Sequence, residues 1–355
     1  MEKYRINPDD GLEFGIYTLG DHIPHYQTGE RLSAQERLLQ IIEIAKMAEE
    51  AGVDFFGVGE SHQPYFVSQA HGIILSAIVS QTKRLKVGST STIVSTSDPV
   101  RIYEDFATLD LLSGGRVELI GGRASRVGLF ELLGYDIRHY EALFEEKFEL
   151  LLEINKKERI TWEGEFRAPL RGAEIIPRPL AGELPIWRAV GGHASSAIKA
   201  GKQGVPMTLA TLGGSAIAFK RSVDAYRESL ESSGYDPNTF PVATAGLFYV
   251  ADTMEDAIKE AYPHINYGIQ LVNGRGFPRT HFEQSRFVDD VLNVGPADHI
   301  IEKILYQHEQ FGHQRYMAQL DFGGMSIDQI KRNIDVLGSE IIPAVKKYTK
   351  KQKKE

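Results

Sequence analysis

The sequence predicts an α/β fold, a (β/α)8 TIM barrel with loop insertions, on three observations. Short apolar runs of strand type recur along the chain, and most are followed by a segment whose apolar residues repeat at helical spacing, the alternation of a parallel sheet. Eight such runs with about eight helices among them fit a closed barrel better than an open doubly wound sheet. The rhythm breaks near 126–185 and 272–294, in glycine- and proline-bearing stretches that suit loop excursions. Length agrees: 355 residues fit one barrel domain over 1–355, since such barrels routinely spend about 250 residues or more on a single domain.

Leu12–Thr18 reads as the first strand. After a polar loop comes a helix with Leu38, Ile41, Ile42, Ala45 and Ala48 on its apolar side and Gly52 at its end. Phe55–Gly59 is a short second strand and Ala70–Ser80 the second helix. Leu85–Val94 is expected as an uninterrupted third strand, with Ser89 and Ser91 on one side and Thr90 and Thr92 on the other. Asp98 then Pro99 marks a helix start, the acid as N-cap and proline at the first helical position, and Gly114–Gly115 closes that helix. Val117–Ile120 is the fourth strand, and the first excursion holds one clear helix, Tyr140–Leu152. The alternation resumes with strands at Pro185–Val190, Val205–Leu209 and Pro241–Val250, and helices at Ala194–Gln203, Ile217–Ser233 and Met254–Tyr267. A helix at Asp298–Phe311, a strand at Gln314–Asp321 and a helix at Ile327–Val336 complete the set.

Composition excludes several kinds of chemistry. The chain has no cysteine, so disulfides, thiolate catalysis, cysteine-zinc sites and iron–sulfur clusters are ruled out. The net charge is −8, and six lysines crowd the last ten residues, leaving 34 basic against 47 acidic side chains for the rest. An acidic body repels nucleic acid, and a short lysine tail reads as solubilising. The N-terminal residues are polar and no run approaches the roughly 18 apolar residues of a membrane span, so a soluble cytoplasmic protein is expected, with no nucleic-acid or membrane partner.

In such barrels chemistry sits where strands end. Glu60 and His62, two apart after the second strand, suit an acid–base pair, or equally a rim pair bonded to loop backbone. No HxH or HExxH occurs, and no metal is expected. A buried parallel strand should be rich in Val and Ile, yet Ser89, Thr90, Ser91 and Thr92 interrupt the third, suggesting that something flat needs room at the barrel mouth. The fourth strand runs into Gly121-Gly122-Arg123. The glycines would let a ligand approach the backbone and the arginine offers a fork for phosphate, although a glycine turn with a surface salt bridge explains the same residues. After the fifth strand, Gly191-Gly192-His193-Ala194-Ser195-Ser196 leads straight into a helix, the recipe for an anion at a helix N-terminus.

In order, these motifs resemble the bacterial luciferase-like family of flavin-dependent monooxygenases. The residues that carry the resemblance are Glu60-Ser61-His62, Leu85–Thr92, Asp98-Pro-Val-Arg101, Glu104-Asp105, Leu109–Arg116 and Gly191–Ser196, and it spans Leu12 to about Tyr348. It implies an FMN-dependent monooxygenase acting on paired donors with incorporation of O2, on a small organic substrate that the sequence does not reveal. The reduced flavin would come from NAD(P)H or a partner reductase. Glu60, Thr90, Ser91, Arg123, Gly191, Gly192, His193, Ser195 and Ser196 would hold the cofactor. A non-prolyl cis peptide is implied at Thr90–Ser91 beneath the flavin ring, with Arg123 and Gly191–Ser196 on the phosphate. Light-emitting relatives carry two consecutive histidines after the glutamate. Here Ser61 replaces the first, so the resemblance does not extend to light emission, and His62 is the candidate catalytic residue. A homodimer is also implied, paired through helices beside strands two and three, where Ile73, Ile74, Ala77 and Ile78 form an apolar face. A deazaflavin-dependent oxidoreductase of the same fold, a non-catalytic flavin-binding barrel and a metal-independent barrel hydrolase using Glu60 and His62 remain alternatives.

Overall fold

The structure is a computed structural model that describes residues 1–124 and 128–351. In chain order it runs β1 (Glu13–Thr18), α1 (Ala34–Glu50), β2 (Phe55–Val58), α2 (His71–Gln81), β3 (Lys86–Ser89), β4 (Thr92–Ile93), α3 (Pro99–Ser113) and β5 (Val117–Gly122). The first excursion carries α4 (Gly128–Leu132), α5 (Tyr140–Lys156), β6 (Arg159–Trp162) and β7 (Leu170–Glu174). Then come β8 (Ile186–Val190), α6 (Ala194–Gln203), β9 (Met207–Ala210), α7 (Ala216–Ser232), β10 (Val242–Val250) and α8 (Met254–Asn273). The chain finishes with α9 (Arg279–Phe282), β11 (Asn293–Gly295), α10 (Ala297–Phe311), β12 (Arg315–Gln319), α11 (Ile327–Val336) and α12 (Ile342–Thr349).

Eight of these strands pair in parallel in the order β1-β2-β3-β5-β8-β9-β10-β12, and β12 returns to β1, closing the barrel. Because helices cover the outside and side chains fill the inside, β1, β2, β5, β10 and β12 are buried at every position. Local signals set the element ends. Ser33 and Glu36 form a capping box on α1, and the Asp98 side chain accepts from Val100 N with Pro99 behind it. Gly114 and Gly204 end α3 and α6 in the left-handed conformation.

Several sequence expectations need correction. The third strand is not continuous. Gly88 pairs with Glu118 and Thr92 with Gly121, so four residues on one side span three on the other, and this extra residue breaks the side-to-side alternation expected for Ser89–Thr92. The first excursion contains an antiparallel hairpin, β6–β7, that its sequence does not announce, while its expected start at Arg126 lies outside the described residues. Helix α8 runs to Asn273 through Pro263, beyond the expected end at Tyr267. A π-helical turn at Leu337–Ile341 carries α11 on into α12. Of the apolar face assigned to a dimer, Ile74 and Ile78 are buried against the barrel, while Ile73 is 74% exposed. The end of the lysine tail, 352–355, is outside the described residues. Among the described residues no helix is long and apolar enough to cross a membrane.

The floor of the barrel is ionic. Arg315, at the start of β12, lies fully buried over the rings of Phe55 and Trp187. It binds Glu118 through two hydrogen bonds of 2.7 and 2.9 Å and Glu13 through two of 3.0 and 2.8 Å, and Lys86 pairs with Glu13. Two cations thus balance two carboxylates, all contributed by the first or second residues of four strands. Removal from water alone would raise the Glu118 pKa, but Arg315 holds it below the usual carboxylate value.

Candidate functional site

The opposite end of the barrel is where the sequence motifs converge. Backbone bonds first tie two strand ends together: Thr90 N donates to Val58 O, and Glu60 N to Ser91 O at 3.0 Å. Between them lies a non-prolyl cis peptide at Thr90–Ser91, the position that the resemblance implies. Glu60 is then fully engaged by the chain itself. Its Oε1 accepts from His62 Nε2 at 2.7 Å and its Oε2 from Ile93 N at 2.6 Å, with His71 Nδ1 at 3.8 Å. His62 thus meets the carboxylate through Nε2, and Nδ1 is left outside that contact on a side chain that lines the cavity. His71, which meets Thr92 Oγ1 at 2.8 Å, is buried, and burial lowers its pKa, so it is neutral at pH 7. Among the described residues, no three His, Asp or Glu side chains gather as metal ligands.

A cavity of about 160 Å³ brings together Glu60, His62, Thr90, Ser91 and Arg123, five of the residues singled out in the sequence. Two larger grooves hold about 580 Å³ each, one lined by the loops after β1 and β12 and one between α2 and α3 that also reaches Glu60 and Thr92. We take the smaller cavity as the site, because it stands at the ends of β2, β3 and β5.

The glycines divide into two kinds. At Gly122 an added Cβ would fall 2.1 Å from Ser91 Oγ, and at Gly121 it would meet the Phe148 ring at 2.6 Å. Those glycines make room for the protein's own side chains, which corrects the reading that they open the backbone to a ligand. Gly57 likewise receives the Thr90 side chain, and Gly59 the Thr90 carbonyl. Gly191 has nothing within 4 Å of its Cβ position, and Gly192 has φ +90°, so here a ligand can approach the backbone. The strand-three hydroxyls are also mostly spoken for: Ser89 Oγ accepts from Ile120 N at 3.0 Å, and Thr92 meets His71. Thr90 Oγ1 has no partner.

Residues Gly191–Ser196 do not line the 160 Å³ cavity but sit beside it. Gly121 of β5 pairs with Arg188 of β8, so Arg123 and Gly191 leave adjacent strands at the same end. The N-cap of α6 is His193, and no side chain caps it; Ser195 lies inside the first turn and is exposed. The N-terminal amides of α6 are thus left without a side-chain acceptor, and Ser196 Oγ is buried without a partner. An orphaned hydroxyl, an open glycine and an uncapped helix end fit a phosphate.

Sequence reasoning missed what other elements bring. Glu141 of α5 accepts from Arg123 at 2.5 Å, and its other oxygen from Lys199 of α6 at 3.1 Å. Glu145, one turn on, accepts from Lys199 at 2.9 Å and from the buried Arg188 at 2.7 and 2.9 Å. A second cavity of about 340 Å³ shares Leu19 and Phe66 with the first and is otherwise walled by Leu247, Ile265, Ile269, Phe277 and Phe322, among others. Its polar lining includes Asp21, Gln319 and His264, whose Nδ1 donates to Gly323 O at 2.9 Å. Burial lowers the His264 pKa. No lysine or arginine is among the described lining residues. Acids at helical spacing in Glu141–Glu145 were visible in the sequence, but nothing there said which helix they face.

Comparison with known proteins matches the fold. The family model for luciferase-like monooxygenases matches residues 12–314. N-acetyl-S-alkylcysteine monooxygenase of Bacillus subtilis is 26% identical over 78% of this chain and 80% of its own length. F420-dependent glucose-6-phosphate dehydrogenase of Mycolicibacterium fortuitum is 30% identical over 55% of this chain and 60% of its own. Among solved structures, the oxygenating constituent of 3,6-diketocamphane monooxygenase from Pseudomonas putida, in complex with FMN, superposes with a TM-score of 0.76 at 18% identity, covering 94% of this chain and 98% of that one.

Proposed function

Because the chain belongs to the luciferase-like monooxygenase family, a family of flavin- and F420-dependent oxidoreductases, we propose that it is an FMN-dependent monooxygenase acting on a small, uncharged, apolar organic substrate. The observation that carries this reading is the adjacency of two cavities. One lies over Thr90–Ser91 beside Arg123 and the uncapped start of α6, and the other is an apolar chamber that shares Leu19 and Phe66 with it. Arg123, the α6 amides and Ser196 would hold the phosphate, and Thr90–Ser91 would support the ring. When bound, the reduced flavin supplies the electrons and the reaction with O2. The chain's part is to orient the partners and keep water out. His62, fixed by Glu60 through Nε2, lines the cavity with Nδ1 outside that contact. The chamber offers no cation to a carboxylate or phosphate among its described residues, which favours an uncharged substrate. Reduced flavin arrives from NAD(P)H or a separate reductase.

Titration with FMN, FAD, riboflavin and F420, oxidised and reduced, tests the cofactor. FMN should bind most tightly. The 30% match to an F420-dependent dehydrogenase favours deazaflavin as the second reading, and binding of F420 alone would put it in place of the first. The protein is also proposed to pair with a second copy, with Ile73 of α2 and Leu112 of α3, both exposed, in the contact. Light scattering at micromolar concentration should find twice the 39.6 kDa chain mass, and a particle of one chain mass would refute the pairing.

A further inference from the structure

The salt bridge on Arg123 stands where the cofactor's phosphate is expected. Glu141 sits in the first turn of α5 with its side chain 62% exposed, yet its carboxylate is held from both sides, by Arg123 at 2.5 Å and by Lys199 at 3.1 Å. Hydrogen bonding to Lys199, together with the charge of Arg123, lowers its pKa, so it is ionised at neutral pH. Neither cation needs Glu141 to stay in place. The Arg123 guanidinium lies over the rings of Tyr140 and Phe144, at 5.4 and 5.9 Å, and Lys199 also holds Glu145. Glu145 is itself committed to the buried Arg188, so it is not free to move with Glu141. Lys199 lies one turn from Ser196 on α6, which puts the ammonium on the same face as the orphaned hydroxyl.

Two cations thus hold a carboxylate whose backbone belongs to another helix, and one of them stands a turn away from an unpartnered buried serine at the uncapped start of α6. We infer that Glu141 is an internal stand-in for the cofactor's phosphate: it bridges Arg123 and Lys199 when the site holds no cofactor, and swings into solvent when a phosphate takes its place. Lys199 then becomes a second cationic contact to that phosphate. The exchange suits a site that must release its cofactor after use, because every binding event displaces an internal anion. This inference rests on the FMN reading above.

The test measures binding, not turnover, by quenching of flavin fluorescence, with FMN and riboflavin as paired probes. Glu141→Gln keeps the size of the side chain but removes its charge, and should tighten FMN by about three- to tenfold while leaving riboflavin unchanged. Lys199→Gln should weaken FMN by about tenfold, again without effect on riboflavin. Inorganic phosphate should compete with FMN better in Glu141→Gln than in the parent. An FMN affinity that Glu141→Gln leaves unaltered or weakens would overturn the stand-in role. So would equal shifts for both flavins, which would place the effect away from the phosphate. A parent protein that binds neither flavin would instead refute the cofactor reading, and this inference with it. Both side chains are at least two-fifths exposed, so the variants should fold.

Discussion

Replacing Arg315 by methionine should lower the unfolding free energy by about 3–5 kcal/mol, the usual penalty for stranding a buried charge. The guanidinium is fully buried and makes four hydrogen bonds to Glu13 and Glu118, whereas Lys86 bonds Glu13 and acts on Glu118 only through its charge, as Arg5 does. Glu118, which has no exposure, would remain as an unpaired carboxylate. Urea denaturation should show the loss, and Arg315→Met combined with Glu13→Gln and Glu118→Gln should recover part of it. The dependence on pH separates this mechanism from simple loss of packing. In the parent, Arg315 depresses the folded pKa of Glu118, so the stability it confers is complete above the unfolded value of about 4.3 and is lost as pH falls through the lower folded value. In Arg315→Met the depression is gone, and moderate acid should stabilise the variant relative to neutral pH by neutralising the stranded carboxylate. A variant whose acid profile parallels the parent's would show that the cluster matters through packing alone.

Arg123→Ala should weaken FMN more than tenfold, equivalent to about 1.5–3 kcal/mol for charge-assisted hydrogen bonds to a phosphate. Riboflavin lacks the phosphate and should be nearly indifferent. The guanidinium is placed by the Tyr140 and Phe144 rings, so Arg123→Lys should recover only part of the affinity: an ammonium keeps the charge but loses the fork and the stacking. Matched losses for FMN and riboflavin would move Arg123 from the phosphate to the ring or ribose.

How much of this was legible beforehand depends on how local each feature is. Most barrel strands are short apolar runs, and a cap such as Asp98-Pro99 lies within one turn of what it caps, so these elements could be read directly. The hairpin β6–β7 is mostly exposed, and its apolar face is only two residues deep on each strand, Ile160 and Trp162 against Ala173 and Leu170, too short to stand out from loop. Helix α12 was missed because Gly338 and Pro343 look like terminators. Gly338 instead admits the Ala51 carbonyl, which would lie 2.6 Å from a Cβ, and Pro343 follows directly on the π-helical turn, in the first turn of α12. The same division holds in the candidate site. Glu60-Ser-His62, Thr90–Ser91 and Gly191–Ser196 each follow a strand and could be singled out as candidates. Glu141, Lys199 and His264 reach the site only through the packing of helices distant in sequence, a relation that no spacing encodes.

The glycine contacts around Thr90 and Ser91 bear on how such an enzyme could diversify. At Gly57, Gly59 and Gly122 the gap is already filled by Thr90 or Ser91 at 2.8 Å or less, so even an alanine there forces a rearrangement. That part of the mouth behaves as a mould with no slack, and lineages that retain the cavity are constrained to retain it whole. The wall of the proposed substrate chamber is made of ordinary side chains, Ile265, Ile269 and Val272 on α8 and Phe277 beyond it, which can be exchanged one at a time. Substrate preference can therefore drift on the α8 side while the opposite side stays fixed, and directed evolution toward a new substrate should accumulate its mutations there.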